Sequence, residues 1–162
     1  MIQRAIRLAC VGTLCLVMVA AAEKAPPEKR GRGMSTNLIK GLYTNWVRTT
    51  PGSDNPDLRT RIYAAAPKKI FERARALASK KSGWKIVKAD KKAGVLKIEA
   101  RTRVLRFVDD VIIRVRPADG GGSLVDMESR SRVGLGDFGT NARRVSGFLK
   151  SFDAAVESSG EM

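Results

Sequence analysis

Apolar residues recur along this chain with two different periods, and the changes of period mark out its elements. Pro67 opens a stretch in which Ile70, Phe71, Ala74, Leu77 and Ala78 fall at helical spacing, until Gly83 stops it. Proline suits the first helical position, where its missing N–H has no partner to lose. Residues 84–90 and 95–104 then alternate with a period of two around the turn Lys91-Lys92-Ala93-Gly94. In the second run Leu96, Ile98, Ala100 and Thr102 share one face, and Lys97, Glu99, Arg101 and Arg103 share the other. A second pair of alternating runs flanks Gly120-Gly121-Gly122, and its register can be read from the pattern. Placing Val115 opposite Val125, Ile113 opposite Met127 and Val111 opposite Ser129 sets Arg114 against Asp126 and Asp110 against Arg130 on the other face. A slip of one residue would face core positions with charges and lose both ion pairs. The last element is a helix over 141–157 with Val145, Phe148, Leu149, Phe152 and Val156 as its apolar stripe.

These elements predict an α+β fold in two layers: an antiparallel sheet of about four to five strands with one charged face, and two helices packed on the other. Residues 59–157 form the domain, with Ile62-Tyr63-Ala64 as a short first strand. Residues 34–58 are a lead-in on the domain edge, in which Leu38, Ile39, Leu42, Trp46 and Val47 suit one amphipathic turn and residues 51–57 (PGSDNPD) carry turn chemistry. Residues 23–33 (EKAPPEKRGRG) have no large apolar side chain and read as a flexible tether.

The N-terminus changes the picture. Arg4 and Arg7 precede a 15-residue uncharged run, 8–22, that ends in three alanines. That is the pattern of an export signal covering residues 1–22, cleaved before Glu23, and it is short for a membrane span of about 20 residues. The expected localisation is exported and periplasmic; the alternative is an inner-membrane anchor formed by residues 8–22. Both cysteines, Cys10 and Cys15, fall inside the signal, and the chain has no histidine. The mature part would then lack disulfides, thiol nucleophiles, catalytic imidazole and the usual zinc ligand sets, so no metal and no cofactor are expected.

Charge narrows the partners. Without Arg4 and Arg7 there remain 29 basic and 16 acidic residues, and residues 68–106 alone hold 14 basic against three acidic, Glu72, Asp90 and Glu99. Such a field draws anions, whether anionic lipid headgroups, polyanionic glycans or nucleic acid, and its plain alternative is a solvated surface. Export and the scarcity of aromatic stacking platforms argue against nucleic acid. An envelope protein partner is the further candidate, docking through an apolar patch around 38–47.

The densest chemistry lies at 107–145. Asp109 is in phase with the core positions and Asp110 points away, so the adjacent carboxylates leave the strand on opposite faces and cannot serve one substrate as an acid–base pair. The half-buried polar cluster that could bind a ligand is Asp109, Ser131, Arg132, Gly134, Gly136, Asp137, Gly139, Asn141 and Arg144. Gly134, Gly136 and Gly139 allow a tight turn that offers backbone N–H groups to an anion near a helix start, with Asp137 as a cap. The purely structural alternative is that Asp109 accepts hydrogen bonds from the loop while Ser129 and Ser131 are small because the helix crosses them. No catalytic residue is assigned; Asp109 and Asp137 are the weak candidates for a general base, with Arg132 or Arg144 steadying negative charge. The spacing of the three glycines matches a dinucleotide fingerprint, but it follows an antiparallel strand and lacks the downstream acid, so it is rejected.

Residues 107–110 (FVDD) and 128–145 (ESRSRVGLGDFGTNARRV) resemble the signature of the domain of unknown function 1499 family, with similarity running from about residue 55 to 152 and including residues 83–87 (GWKIV). The resemblance implies no agreed activity, cofactor or partner; the candidate ligand-binding residues it implies are Asp109, Asp110, Ser131, Arg132, Gly134, Asp137, Gly139, Asn141 and Arg144. Many relatives carry a Pro-Asn-Cys motif near the domain start, and residues 51–56 here lack it. The functional reading is an exported envelope protein, more a binding module for an anionic ligand or membrane surface than an enzyme; the alternatives are a carboxylate enzyme using Asp109 or Asp137, and a structural partner in an envelope complex.

Overall fold

The computed structural model describes residues 45–102, 107–133 and 139–160. In chain order these form β1 (Trp46–Arg48), a 3₁₀ turn (Pro56–Leu58), β2 (Arg61–Tyr63), α1 (Pro67–Lys80), β3 (Trp84–Asp90), β4 (Val95–Arg101), β5 (Val108–Pro117), β6 (Ser123–Ser131) and α2 (Thr140–Glu157). The fold is α+β, as the period changes predict: an antiparallel sheet ordered β1-β6-β5-β4-β3, with β2 also on β6.

The sheet has six strands, one more than expected, because β1 and β2 share the outer edge of β6. β1 pairs with residues 128–130 and β2 with residues 123–125. The chain between them leaves the edge and returns to it, and Asp126 holds both feet of this excursion, accepting from Thr49 Oγ1 at 3.2 Å and Thr60 Oγ1 at 2.6 Å. The turn chemistry of 51–57 lies within it: the Asn55 side chain caps the 3₁₀ turn by accepting from the Asp57 N–H at 3.0 Å. The sheet therefore begins before residue 59, inside the segment read as a lead-in. Trp46 and Val47 are strand residues rather than part of a helical turn, with Val47 facing the core and Trp46 facing out; Leu38, Ile39 and Leu42 lie outside the described residues.

The β5–β6 register is the one read from the pattern, from Asp109 opposite Ser131 to Pro117 opposite Ser123. The ion pairs differ. Arg114 bonds Glu128 at 3.3 Å, Arg116 bonds Asp126, and Arg132 takes Asp110. Each partner sits two residues further along β6 than the residue directly opposite. Long side chains reach such diagonal neighbours, and the right-handed twist of the pair favours one diagonal over the other.

The helices cover the opposite face. Ile70, Phe71, Ala74 and Ala78 of α1 and Val145, Phe148, Leu149, Phe152 and Val156 of α2 pack on Leu96, Ile98, Val111, Ile113, Val125 and Met127 of the sheet in one buried cluster. Trp84, Phe148, Phe152 and Tyr63 form a row of ring contacts through it, with centroids 5.2, 5.9 and 5.4 Å apart. Gly94, in the β3–β4 turn, has φ +66° and its carbonyl accepts from Val115 N–H at 2.8 Å. A Cβ there would meet the Val115 carbonyl oxygen at 2.1 Å, so only glycine lets the turn fold back onto β5.

Candidate functional site

Strand phase divides the sequence-derived set into two groups on opposite faces of the sheet. Asp109 and Ser131 face the helices, while Asp110 and Arg132 belong to the open side.

On the helix side, α2 crosses β6 where Ser129 and Ser131 leave room for it. Asn141, in the first turn of α2, is fully buried and takes the apolar phase of the helix. Its Oδ1 accepts from Ser129 Oγ at 2.6 Å, and its Nδ2 donates to Ser131 Oγ and to the Asn45 carbonyl, both at 3.0 Å. Arg144 lies one helical turn later. Its guanidinium donates to Ser129 Oγ at 2.8 Å, to Asn141 Oδ1 at 2.6 Å and to the Asp109 carboxylate. The side chains of this ion pair are 9% and 3% exposed. A buried carboxylate without a partner would cost several kcal/mol; here the charges answer one another, and Ser129 and Asn141 accept two further bonds from the guanidinium. One charged bond thus ties α2 to β5, and Asn141 ties it to β6 and to the residue before β1.

On the open side, Arg132 grips Asp110 with two donors, Nε to Oδ2 at 3.0 Å and Nη2 to Oδ1 at 2.6 Å, and reaches Glu99 Oε1 at 2.9 Å. The hydrogen bonds from Arg132 hold the Asp110 carboxyl below the usual carboxylate range, against a smaller opposing effect of partial burial.

Gly139 occupies the N-cap position of α2 with φ +74°. Gly134, Gly136 and Asp137 lie outside the described residues. Three participants stand outside the set read from the sequence. Ser129 and the Asn45 carbonyl complete the inner network, and Glu99 shares Arg132. Only Ser129 left a trace in the sequence, as a small polar residue in an apolar phase.

Chemically, the inner group is closed. The hollows of about 550 and 530 Å³ that flank α1 are lined by other residues, among them Glu72, Arg75, Val87 and Lys88 in one and Lys68, Phe71, Lys92 and Arg116 in the other. Among the described residues no three histidine, cysteine, aspartate or glutamate side chains gather as a metal would require.

The fold and its crossing strut define an α+β domain of one sheet and two covering helices, held together by an Asp–Arg pair. The family model described as protein of unknown function (DUF1499) matches residues 22–152, and the chain belongs to that family. No curated protein matches it. Among solved structures it is similar to TTHA0849 from Thermus thermophilus, at 12% identity over 70% of this chain and 98% of that one, with a TM-score of 0.37. It is also similar to CV1439 from Chromobacterium violaceum, at 16% identity over 70% of this chain and 97% of that one, TM-score 0.36. A third likeness is to Ara h 8.0201, at 17% identity over 62% of this chain and 95% of that one, TM-score 0.33. At these values the likenesses carry no argument about function.

Proposed function

We propose that this chain is an exported, non-enzymatic protein of the cell envelope that binds an anionic surface through its basic side. The observation that carries the reading is how the carboxylates in the most basic stretch are used. Glu72 is taken by Lys91 and Arg75, Asp90 by Lys88, and Glu99 by Arg132. That leaves Lys85, Lys97 and Arg101 on the open face of the sheet, and Lys68 and Lys92 beside the start of α1, with no acidic partner among the described residues. Lys97 stands directly opposite Lys88 across the β3–β4 ladder. Like charges set side by side are unfavourable in isolation and become favourable when an anion lies over them.

Export is supported by the uncharged run 8–22 and the cysteine-free, histidine-free sequence that follows it. Among the described residues no helix is long and apolar enough to cross a membrane. A carboxylate enzyme has less support: the Asp109 carboxylate is buried against Arg144 rather than presented to a cleft. Mass spectrometry of the natively expressed protein tests the reading. We expect a chain beginning at Glu23 and, under native conditions, a retained anionic molecule; an intact N-terminus on an empty protein would contradict it.

A further inference from the structure

One end of the sheet combines exposed apolar groups with cations that have no acidic partner. The C-terminal ends of β4 and β6 and the N-terminal ends of β1, β3 and β5 meet there, since Trp46 pairs with Arg130, Asp109 with Ser131, Arg101 with Val108 and Lys85 with Glu99. Four adjacent strands, β1, β6, β5 and β4, make an edge about 15 Å wide. Three of the large hydrophobic residues most exposed in the described structure stand on it: Trp46 at 48%, Phe107 at 43% and Val133 at 59%. Phe107 and Val133 each lie two residues beyond the last paired core-facing positions, Asp109 and Ser131, and are exposed.

Among the described residues, the charge around them that has no ion-pair partner is basic. Arg48 lies 6.0 Å from the Trp46 ring centroid, and Arg130, Arg101 and Lys85 are exposed. The carboxylates at this end are already occupied, Asp110 and Glu99 by Arg132 and Asp109 by Arg144. Lys85 and Arg101 flank a hollow of about 280 Å³ that is also lined by Gly83, Trp84, Val108 and Glu99, whose carboxylate is held by Arg132. Exposed aromatic and aliphatic tips framed by cations are the composition that settles into the interfacial layer of an anionic bilayer, where rings sit at headgroup depth and each basic side chain near the surface adds attraction.

We infer that this end of the sheet docks on an anionic lipid bilayer. Trp46, Phe107 and Val133 enter the headgroup layer, and Lys85 and Arg101 seat a lipid phosphate in the hollow between them. The inference rests on the anion-binding reading and names its partner and orientation. A neutral bilayer would meet the same apolar tips without the attraction that brings the protein to the surface, and a soluble polyanion would leave those tips in water; the combination fits a charged bilayer alone.

Trp46 supplies the probe. The protein in its processed form is titrated with vesicles of phosphatidylglycerol and phosphatidylcholine, with and without brominated acyl chains, and a Trp46→Phe variant isolates the Trp46 signal from Trp84. We expect a blue-shifted Trp46 that brominated lipid quenches. Phe107→Ser with Val133→Ser should weaken vesicle affinity by about tenfold, the scale of partly burying two apolar side chains. Lys85→Glu with Arg101→Glu should remove most of the quenching. All four positions are solvent-exposed, so these variants keep the fold. Tight vesicle binding with Trp46 unquenched, and with the Phe107/Val133 variant indistinguishable from the parent, overturns this orientation and leaves the anion-binding reading standing. No binding to anionic vesicles at low salt overturns both.

Discussion

Replacing Arg144 by methionine is expected to destabilise the domain by about 3–5 kcal/mol, the range for breaking a buried ion pair by removing one member. The substitution strands the Asp109 carboxylate at 3% exposure and takes from Ser129 and Asn141 a donor they share. Asp109→Ala is expected to cost less, because the guanidinium it leaves behind retains Ser129 Oγ and Asn141 Oδ1 as acceptors. Replacing both by apolar residues of similar size removes the buried charge altogether, so the double variant should lose less than the two single losses added together. Urea unfolding of the four proteins measures this, provided the slope with denaturant stays constant. Independent, additive losses would show that the pair is not the strut between α2 and β5.

Phe148→Ala is expected to have an effect of similar size, about 3–5 kcal/mol, as for other large-to-small changes of a fully buried aromatic. Phe148 stacks between Trp84 at 5.2 Å and Phe152 at 5.9 Å, with interplanar angles of 14° and 13°. Removing it opens a cavity in the middle of the aromatic row and frees the half-buried Trp84 from its support on α2. Phe148→Leu retains most of the volume and should cost below about 1.5 kcal/mol. The same unfolding assay reads both, and Trp84 fluorescence should report the loss of stacking in the alanine variant while the protein is still folded. An alanine variant as stable as the parent would mean that α2 is held by its polar contacts and not by this packing.

Much of this architecture could be read from the chain because the pattern carries it. The β5–β6 register follows from alternation on two long strands joined by three glycines, and a register error there would have buried charges. The α2 stripe follows from helical spacing. What the pattern does not carry is the geometry between elements. Arg114 and Asp126 stand opposite each other as read, yet each bonds the neighbour two residues along, because twist selects a diagonal and a linear sequence contains no twist. β1 and β2 are three residues each, too short to alternate, so their common edge on β6 left no signature.

The site was legible as a set of residues and not as a set of partners. Asp109, Ser131, Asn141 and Arg144 do converge, but their convergence depends on where α2 lies over the sheet, and this puts Arg144 against Asp109 rather than toward a ligand. Asp110 and Arg132, the next residues along the chain from Asp109 and Ser131, belong to the opposite face and to a different charge network. The cations without acidic partners were legible only as an excess. Which of them are left over depends on the ion pairs that the fold forms.

The anion-binding account is tested most directly by measuring affinity for anionic and zwitterionic vesicles across ionic strength, for the parent and for a variant with Lys85, Lys97 and Arg101 changed to glutamine. The account predicts binding to anionic vesicles alone, a steep fall in affinity as salt shortens the screening length from about 30 Å at 0.01 M to about 8 Å at 0.15 M, and a weaker, flatter dependence for the variant. Affinity that is unchanged by salt, or equal for the two proteins, would contradict it.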